Sequence, residues 1–115
     1  MTEIEGLTHL YKRRKVEMLP GIFRTTMSYN ETSMLCYFHF KKGATIPLHK
    51  HEAVQNGFVI KGRVKFLMGE EQSFVVEDGD GYIFASNESH GSEVLEDTEL
   101  IECFTPMRPE YLDED

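Results

Sequence analysis

Cationic residues are scarce in this chain. Its 12 lysines and arginines stand against 20 aspartates and glutamates, which gives the 115 residues a formal net charge of −8. Nucleic-acid phosphates are bound by clustered cations, and the short basic run at residues 11–16 is better interpreted as a solvated first strand. We therefore expect no nucleic-acid partner and, on weaker grounds, no anionic membrane partner.

Cysteines and long apolar runs are scarce as well. The two cysteines, Cys36 and Cys103, form no CxxC pair and lie in apolar, strand-like runs, which predicts two buried free thiols, with a disulfide as the alternative. No apolar run approaches the roughly 20 residues that a membrane helix needs. The acidic N-terminus also lacks the basic-then-apolar order of a signal peptide, so we expect a cytoplasmic protein with no membrane partner.

Helical periodicity is missing too, because no window repeats apolar residues at a 3.6-residue spacing between capping residues. Short β-forming runs alternate instead with turn signals at roughly 8- to 12-residue spacing, which predicts an all-β sandwich or barrel. Among these signals, Lys61–Gly62 is predicted to be a tight turn, and Glu96–Asp97 is predicted to split the last two strands. We divide the chain into a lead-in or arm at 1–10, one domain at 11–109 and an acidic tail at 110–115.

Three histidines and one glutamine are candidates for a metal site. His49 and His51 alternate along one predicted strand and so point to the same face, Gln55 opens the next strand, and His90 lies far downstream. Three imidazoles and an amide oxygen suit one divalent transition metal, such as Zn, Ni, Fe, Mn, Co or Cu. Because all four ligands are neutral, such a metal keeps its full charge and acts as a strong Lewis acid. The alternative is that the strand histidines simply face water.

The last predicted strand leaves open which of its faces is buried. Glu102 and Phe104 share one face, and Ile101 and Cys103 share the other, so the apolar pattern slightly favours the second pair inside. With the opposite orientation, Glu102 would be desolvated and suited to general acid or base chemistry near neutral pH. Arg108 lies just past the strand end, where it is suited either to holding a substrate carboxylate or to an ordinary surface contact.

Two motifs in this chain resemble those of the cupins. The first is Gly43-x5-His49-x-His51-x3-Gln55-x6-Gly62, and the second is Gly79-x5-Ala85-x-Asn87-x2-His90. The first has Gln where cupins usually have Glu, and in the second Ala85 and Asn87 replace the usual Pro and Gly. The resemblance implies a jelly-roll barrel, the double-stranded β-helix of two antiparallel sheets with no major helix. It also implies that His49, His51, Gln55 and His90 are the metal ligands.

A narrower resemblance is to small single-domain cupins of the pectin-degradation KdgF type. These have Gln at the fourth ligand position and end in a pattern like Asp-x-Phe-[Ser/Thr]-Pro-x-Arg, which is similar to residues 102–108 here. They convert unsaturated uronates from pectin or alginate to the linear keto form. The resemblance implies that Glu102 is the acid/base, that Phe104 packs on the sugar and that Arg108 pairs with its carboxylate, which places Glu102 and Phe104 inside the barrel. Glu102 departs from the usual Asp by one methylene, which leaves the substrate open.

Two other functions remain open at this stage, each on a small molecule. One is a metal-dependent dioxygenase, and the other is a non-enzymatic ligand-sensing or binding module, because cupins are diverse and a fold does not determine function. The resemblance also implies a homodimer. Phe58 and Ile60 support that expectation, because with Gln55 facing inward they lie on the outer face of their strand, where a monomer would expose them.

Overall fold

Two long antiparallel strands form the centre of the fold in a computed structural model that describes residues 6–113. They are β5 (Val54–Met68) and β8 (His90–Thr105), which pair along most of their length. The other strands are β1 (Lys15–Leu19), β2 (Ile22–Tyr29), β3 (Met34–Phe40), β4 (Thr45–His49), β6 (Gln72–Glu77) and β7 (Gly81–Phe84). Within residues 6–113, the helical segments are two 3₁₀ turns at Leu10–Lys12 and Pro109–Tyr111. The prediction of an all-β fold without a major helix is confirmed.

Residues 1–5 and 114–115 lie outside the described part of the chain, and with them half of the predicted lead-in and the end of the predicted tail. No helix within residues 6–113 is long and apolar enough to cross a membrane.

The strands form two antiparallel sheets because each long strand changes partners along its length. The C-terminal half of β8 pairs with β3 and its N-terminal half with β4, while β5 pairs first with β7 and then with β6. All eight strands are joined in one hydrogen-bonded network. Its pairings divide into a larger sheet, β1-β2-β3-β8-β5-β7, and a smaller sheet, β4-β8-β5-β6, which share β5 and β8. Register shifts between Val59 and Val64 mark the change in β5. This is the predicted jelly-roll arrangement of two antiparallel sheets.

Three predicted element boundaries were wrong. Lys61–Gly62 and Glu96–Asp97 lie inside β5 and β8, so four predicted short strands are two long ones. The chain does deform at Gly62, where φ is +124°. However, β8 stays paired with β5 on both sides of this irregularity, so Lys61–Gly62 forms a bulge and the chain does not reverse there. The basic run at residues 11–16 also does not form one strand, because the 3₁₀ turn occupies its start and β1 begins at Lys15.

The hydrophobic core lies between the inner faces of the two sheets. Strand β3 alternates strictly between buried and half-buried residues, as expected for a strand with one face on the core. Apolar side chains that are at most 4% exposed include Met34, Cys36, Phe38, Phe40, Val59, Val64, Phe66, Phe84, Leu100 and Phe104. Full burial of such a side chain contributes about 1.5–3 kcal/mol, so this interior holds both sheets in place around the site described below.

The orientation of β8 corrects two expectations from the apolar pattern. Glu102 is 4% exposed and Phe104 is completely buried, whereas Ile101 is half-buried and Cys103 is exposed. In register, Glu102 lies opposite buried Cys36 of β3, so its face continues the inner face of the neighbouring strand. The preference for Ile101 and Cys103 inside was therefore wrong, as was the prediction of a buried Cys103 thiol. Both cysteines are free.

Residues after β8 return to pack on the barrel. The Tyr111 ring lies under two guanidinium groups, with Cζ of Arg24 4.7 Å and Cζ of Arg108 4.1 Å from its centroid. The Thr26 hydroxyl donates to the Tyr111 carbonyl oxygen at 2.6 Å, and Asp113 forms an ion pair with Arg24. The start of the predicted acidic tail therefore contacts the domain and holds Arg108 from one side.

Candidate metal centre

Three histidines converge on the inner side of the barrel. His49 ends β4, His51 follows in the next loop, and His90 begins β8 directly opposite His49 in the register. One ring nitrogen from each lies within 4.8 Å of the others. The ring centroids of His49 and His90 are 4.5 Å apart, and those of His51 and His90 are 5.0 Å apart. Strand pairing therefore brings His49 and the distant His90 together. His51 joins them from the loop after β4, so the prediction that it lies in one strand with His49 was wrong.

Each of these imidazoles has its outer nitrogen next to a backbone carbonyl. His49 Nδ1 is 2.9 Å from the Pro47 oxygen, His51 Nδ1 is 2.8 Å from the Ala53 oxygen, and His90 Nδ1 is 2.8 Å from the Glu88 oxygen. A carbonyl only accepts hydrogen bonds, so these contacts place a proton on Nδ1 of each ring. In the neutral imidazole, Nε2 is then the lone-pair nitrogen, which is the arrangement typical of histidine ligands.

The fourth predicted ligand, Gln55, adds its amide oxygen to the same point. Oε1 lies 3.1 Å from His51 Nε2 and 3.2 Å from His90 Nε2. With protons on Nδ1, both of those nitrogens are acceptors, as is the amide oxygen, so no hydrogen bond joins them. Clustered, half-buried acceptors without a donor are unfavourable unless a cation lies between them. This donor set fits a divalent transition metal.

Burial favours the neutral form of two of the imidazoles. It lowers the pKa of His90 to about 4, and it lowers the pKa of His51 with a further contribution from the positive charge of Arg108. Neutral rings have the lone pair that a metal ligand needs, whereas imidazolium has none. The site is therefore ready to bind a cation at neutral pH without first losing protons from these two rings.

Glu102 connects to the centre through Gln55. Its Oε2 accepts a hydrogen bond from Gln55 Nε2 at 2.6 Å and a second from the Tyr82 hydroxyl, also at 2.6 Å. Burial raises the pKa of this carboxyl to about 7, and the two hydrogen bonds and Arg108 oppose that rise. Sequence reasoning missed Tyr82, because nothing in the Gly-Tyr-Ile-Phe run at residues 81–84 distinguishes it from ordinary core.

A cavity of about 220 Å³ opens beside this cluster. Its polar lining comes from the predicted site together with Ser92, whose buried hydroxyl has no hydrogen-bond partner in the described part of the chain. The residues that line it are Met18, Leu19, Phe38, Phe40, Ile46, Pro47, His49, Gln55, Phe66, His90, Gly91, Ser92, Glu102, Arg108 and Tyr111. The cavity therefore joins three of the four predicted ligands to both predicted catalytic residues in one small, mainly apolar space.

Arg108 lines the cavity and has a donor, Nε, that makes no hydrogen bond within residues 6–113. This buried Nε forms an ion pair with a Glu110 carboxylate oxygen at 3.4 Å. The guanidinium stacks on Tyr111 and lies 5.2 Å from the centroid of Phe104. Phe104 itself is completely buried and does not line the cavity, and its ring packs edge-on to His51. In this structure Phe104 supports Arg108 and His51, and its predicted contact with a sugar stays a prediction.

Residues 36–103 match the model of the cupin domain family. The pectin degradation protein KdgF of Dickeya dadantii is 33% identical to this chain over 98 residues, which covers 84% of this chain and 88% of that protein. The solved structure of KdgF from a Halomonas species superposes with a TM-score of 0.86 at 25% identity, covering 95% of this chain and 100% of that one. An RmlC-like cupin from Shewanella frigidimarina superposes with a TM-score of 0.90 at 22% identity, covering 97% and 100%.

Proposed function

This chain belongs to the cupin family, and from that premise we propose that it is an enzyme that converts an unsaturated uronate to its linear keto form. The observation that carries the proposal is that one cavity joins the histidine cluster, the Glu102 carboxyl group and the Arg108 guanidinium. Similarity to a protein named for pectin degradation supports this substrate class. At about 220 Å³, the cavity suits a single sugar acid.

The metal would be held by Nε2 of His49, His51 and His90 and by Oε1 of Gln55. When bound, a divalent transition metal supplies Lewis acidity toward a substrate oxygen. The chain contributes the fixed orientation of all four ligands, through the carbonyls behind the rings and the carboxylate behind the amide.

Arg108 binds the carboxylate of the sugar acid. Its planar guanidinium is suited to a two-point contact with a carboxylate. Among residues 6–113 its buried Nε makes no hydrogen bond, and its ion pair with Glu110 is long, at 3.4 Å. Stacking on Tyr111 restricts the guanidinium to one plane, so the substrate carboxylate is bound in a defined direction. Glu102 lines the same cavity as Arg108, so a sugar acid bound through its carboxylate would be within the space that Glu102 faces.

Glu102 moves the protons. Its Oε2 is occupied by Tyr82 and Gln55, which leaves Oε1 for the substrate. As a base, the carboxylate takes the proton of the C1 hydroxyl while the C1–O5 bond breaks, which forms an aldehyde at C1 and an enolate at C5. As an acid, it returns that proton to C4, and the enolate becomes a ketone. The product has the same atoms as the substrate, so no oxidant or reductant is needed.

The test is a turnover assay on the protein with its native metal. The conjugated double bond of an unsaturated uronate absorbs in the ultraviolet, so ring opening to the keto form is followed as loss of absorbance. We expect loss well above the spontaneous rate with a galacturonate- or guluronate-derived substrate. The His49→Ala/His51→Ala variant should lack both metal and activity. No acceleration with either substrate would retire the proposal, and equal metal content in the two proteins would overturn the ligand set.

The same protein preparation separates the two alternative functions. A dioxygenase would consume oxygen together with its substrate. A sensing module would retain a tightly bound small molecule without converting it. Either result in place of uronate turnover would change the function proposed for the cavity, while the chain would still belong to the cupin family.

We also propose that the chain forms a homodimer through the outer face of its larger sheet. Phe58 is 45% exposed, Ile60 is 46% exposed and Ile83 is 60% exposed. All three lie on β5 or its neighbour β7. A contiguous apolar patch of this kind is typical of an interaction surface, and a second copy of the chain carries the matching patch for a twofold contact.

A further inference from the structure

We propose that Tyr82 and Glu102 are positioning residues of the metal centre, which hold the Gln55 amide with its oxygen toward the three histidines. The inference rests on the metal-binding part of the proposed function and does not depend on which substrate is converted. It gives Glu102 Oε2 a task separate from the proton transfer assigned to Oε1, and it gives Tyr82 a role in the site.

The argument begins with the two ends of the Gln55 amide. Only its oxygen can bind a metal, because the NH₂ group donates and has no lone pair to offer. The two ends have nearly the same shape, so packing alone does not select one over the other. A carboxylate only accepts, and so Glu102 Oε2, 2.6 Å from Nε2, requires the NH₂ end to face it. The oxygen is thereby directed to the opposite side, 3.1 Å from His51 Nε2 and 3.2 Å from His90 Nε2.

Tyr82 holds the Glu102 carboxylate in the orientation in which it accepts a hydrogen bond from the Gln55 NH₂ group. Its hydroxyl donates to the same Oε2 at 2.6 Å, so that this oxygen acts as an acceptor for two donors at once. The Tyr82 ring is itself packed against Phe66 and Phe84, at centroid distances of 4.5 Å and 5.9 Å. Without the hydroxyl, the Glu102 side chain loses one of the two contacts that fix Oε2 beside Gln55.

Gly57 makes the contact between Tyr82 and Glu102 possible. It lies between them in the register, opposite Tyr82 on β7 and opposite Glu102 on β8. A Cβ at this position would lie 2.6 Å from Cε2 of Tyr82 and closer still to Cζ, which real side chains do not tolerate. The tyrosine therefore reaches across β5 over a strand position that has no side chain. Glycine is needed at position 57 for this close approach, because its φ is not positive and its backbone conformation does not itself require glycine.

The test measures the affinity for Co²⁺ alone, without substrate, by competition with a chelator. We expect Tyr82→Phe to bind Co²⁺ about tenfold more weakly than the unaltered protein, within the 10- to 100-fold range typical of residues that orient metal ligands. The visible spectrum of bound Co²⁺ should change as well, since it reports the ligand atoms. The matched control is Tyr37→Phe, which removes a similar tyrosine–carboxylate hydrogen bond, to Glu99, and should leave the affinity unchanged.

A double-mutant cycle distinguishes positioning from general destabilisation. If Tyr82 acts through Gln55, then adding Tyr82→Phe to a Gln55→Ala protein should cause no further loss of Co²⁺ affinity. Gly57→Ala, which displaces the tyrosine while keeping its hydroxyl, should weaken binding like Tyr82→Phe. Unchanged affinity in Tyr82→Phe, or an equal further loss in the Gln55→Ala protein, would overturn the inference. Failure of uronate turnover by a protein that binds Co²⁺ normally would retire only the proposed reaction.

Discussion

At the residue scale, the charges around the cavity favour an anionic ligand. The four predicted ligands are imidazoles and an amide, so they would bring no negative charge to a bound divalent ion, and the Arg108 guanidinium lies close enough to lower the pKa of His51. Glu102 is the one acidic side chain among the residues that line the cavity. A small molecule that carries a carboxylate and several oxygens therefore complements this site better than a neutral or cationic one.

Replacing Arg108 with lysine tests the carboxylate contact. A lysine keeps the charge but cannot form the planar two-point contact, so KM for the uronate should rise about tenfold or more, the loss expected for a charge-assisted hydrogen bond of about 1.5–3 kcal/mol. We expect the change in kcat to be smaller, as measured by the absorbance assay. Arg63→Lys is the control, because Arg63 forms an exposed pair with Glu77 at the surface. Equal effects of the two variants would contradict a binding role for Arg108.

The residues of the centre differ in how far the sequence could predict them. The four predicted ligands follow from the spacing of the two glycine-bounded motifs, although His51 lies in the loop after β4 and not in one strand with His49. Tyr82 could not be found in this way, because its contact with Glu102 depends on strand register and on the absence of a side chain at Gly57. The absence of Phe104 from the cavity wall likewise depends on packing, with Arg108 and Tyr111 on the cavity side.

At the element scale, the two long strands carry most of the site. His90 and Glu102 both lie on β8, twelve residues apart in number, and Gln55 lies on β5, which pairs with it. Because one bent strand contributes to both sheets, its first half supplies the predicted metal ligand His90 and its second half supplies the Glu102 carboxylate. The bend of the β5–β8 pair therefore sets the distance between the two halves of the site.

Gly62 marks that bend, and Gly62→Ala tests it. Its φ is +124°, and an added Cβ would lie 2.7 Å from the Asp97 carbonyl oxygen of β8. Backbone strain and overpacking together should lower the free energy of unfolding by about 3 kcal/mol, measured by urea denaturation. Gly69→Ala is the matched control, because Gly69 also has a positive φ, +66°, but nothing within 4 Å of an added Cβ, so we expect a loss of about 1 kcal/mol. Equal losses of unfolding free energy in Gly62→Ala and Gly69→Ala would contradict the importance of the close approach between Gly62 and β8.

The same bend explains why strand boundaries were harder to predict than strand identity. Local composition at Lys61–Gly62 and Glu96–Asp97 is that of a turn, but the hydrogen-bonded partner continues past both places. The inward face of β8 was also ambiguous, because Ile101 and Cys103 are more apolar than Glu102. Only the family resemblance gave the correct orientation, because the Glu102 carboxylate lies inside against the apolar pattern.

At the scale of the whole molecule, the barrel uses its two surfaces differently. The inner faces hold the core and the cavity, whereas the outer face of the larger sheet exposes Phe58, Ile60 and Ile83. Ile101 lies opposite Phe58 in the register and extends the same apolar face. Because this face lies behind the site-bearing strands, a second copy bound there would cover apolar surface without closing the cavity.

Phe58→Lys tests the proposed dimer. A lysine at the centre of a twofold contact must lose its hydration and face the same charge from the other copy, so the variant should be a monomer of about half the mass of the unaltered protein in solution. Light scattering during gel filtration measures this mass. The matched control is Val75→Lys on β6 of the smaller sheet, because Val75 is 45% exposed, as is Phe58, and its substitution should leave the mass unchanged. An unaltered protein that already has the mass of one chain, or a dimer that survives Phe58→Lys, would contradict pairing through this face.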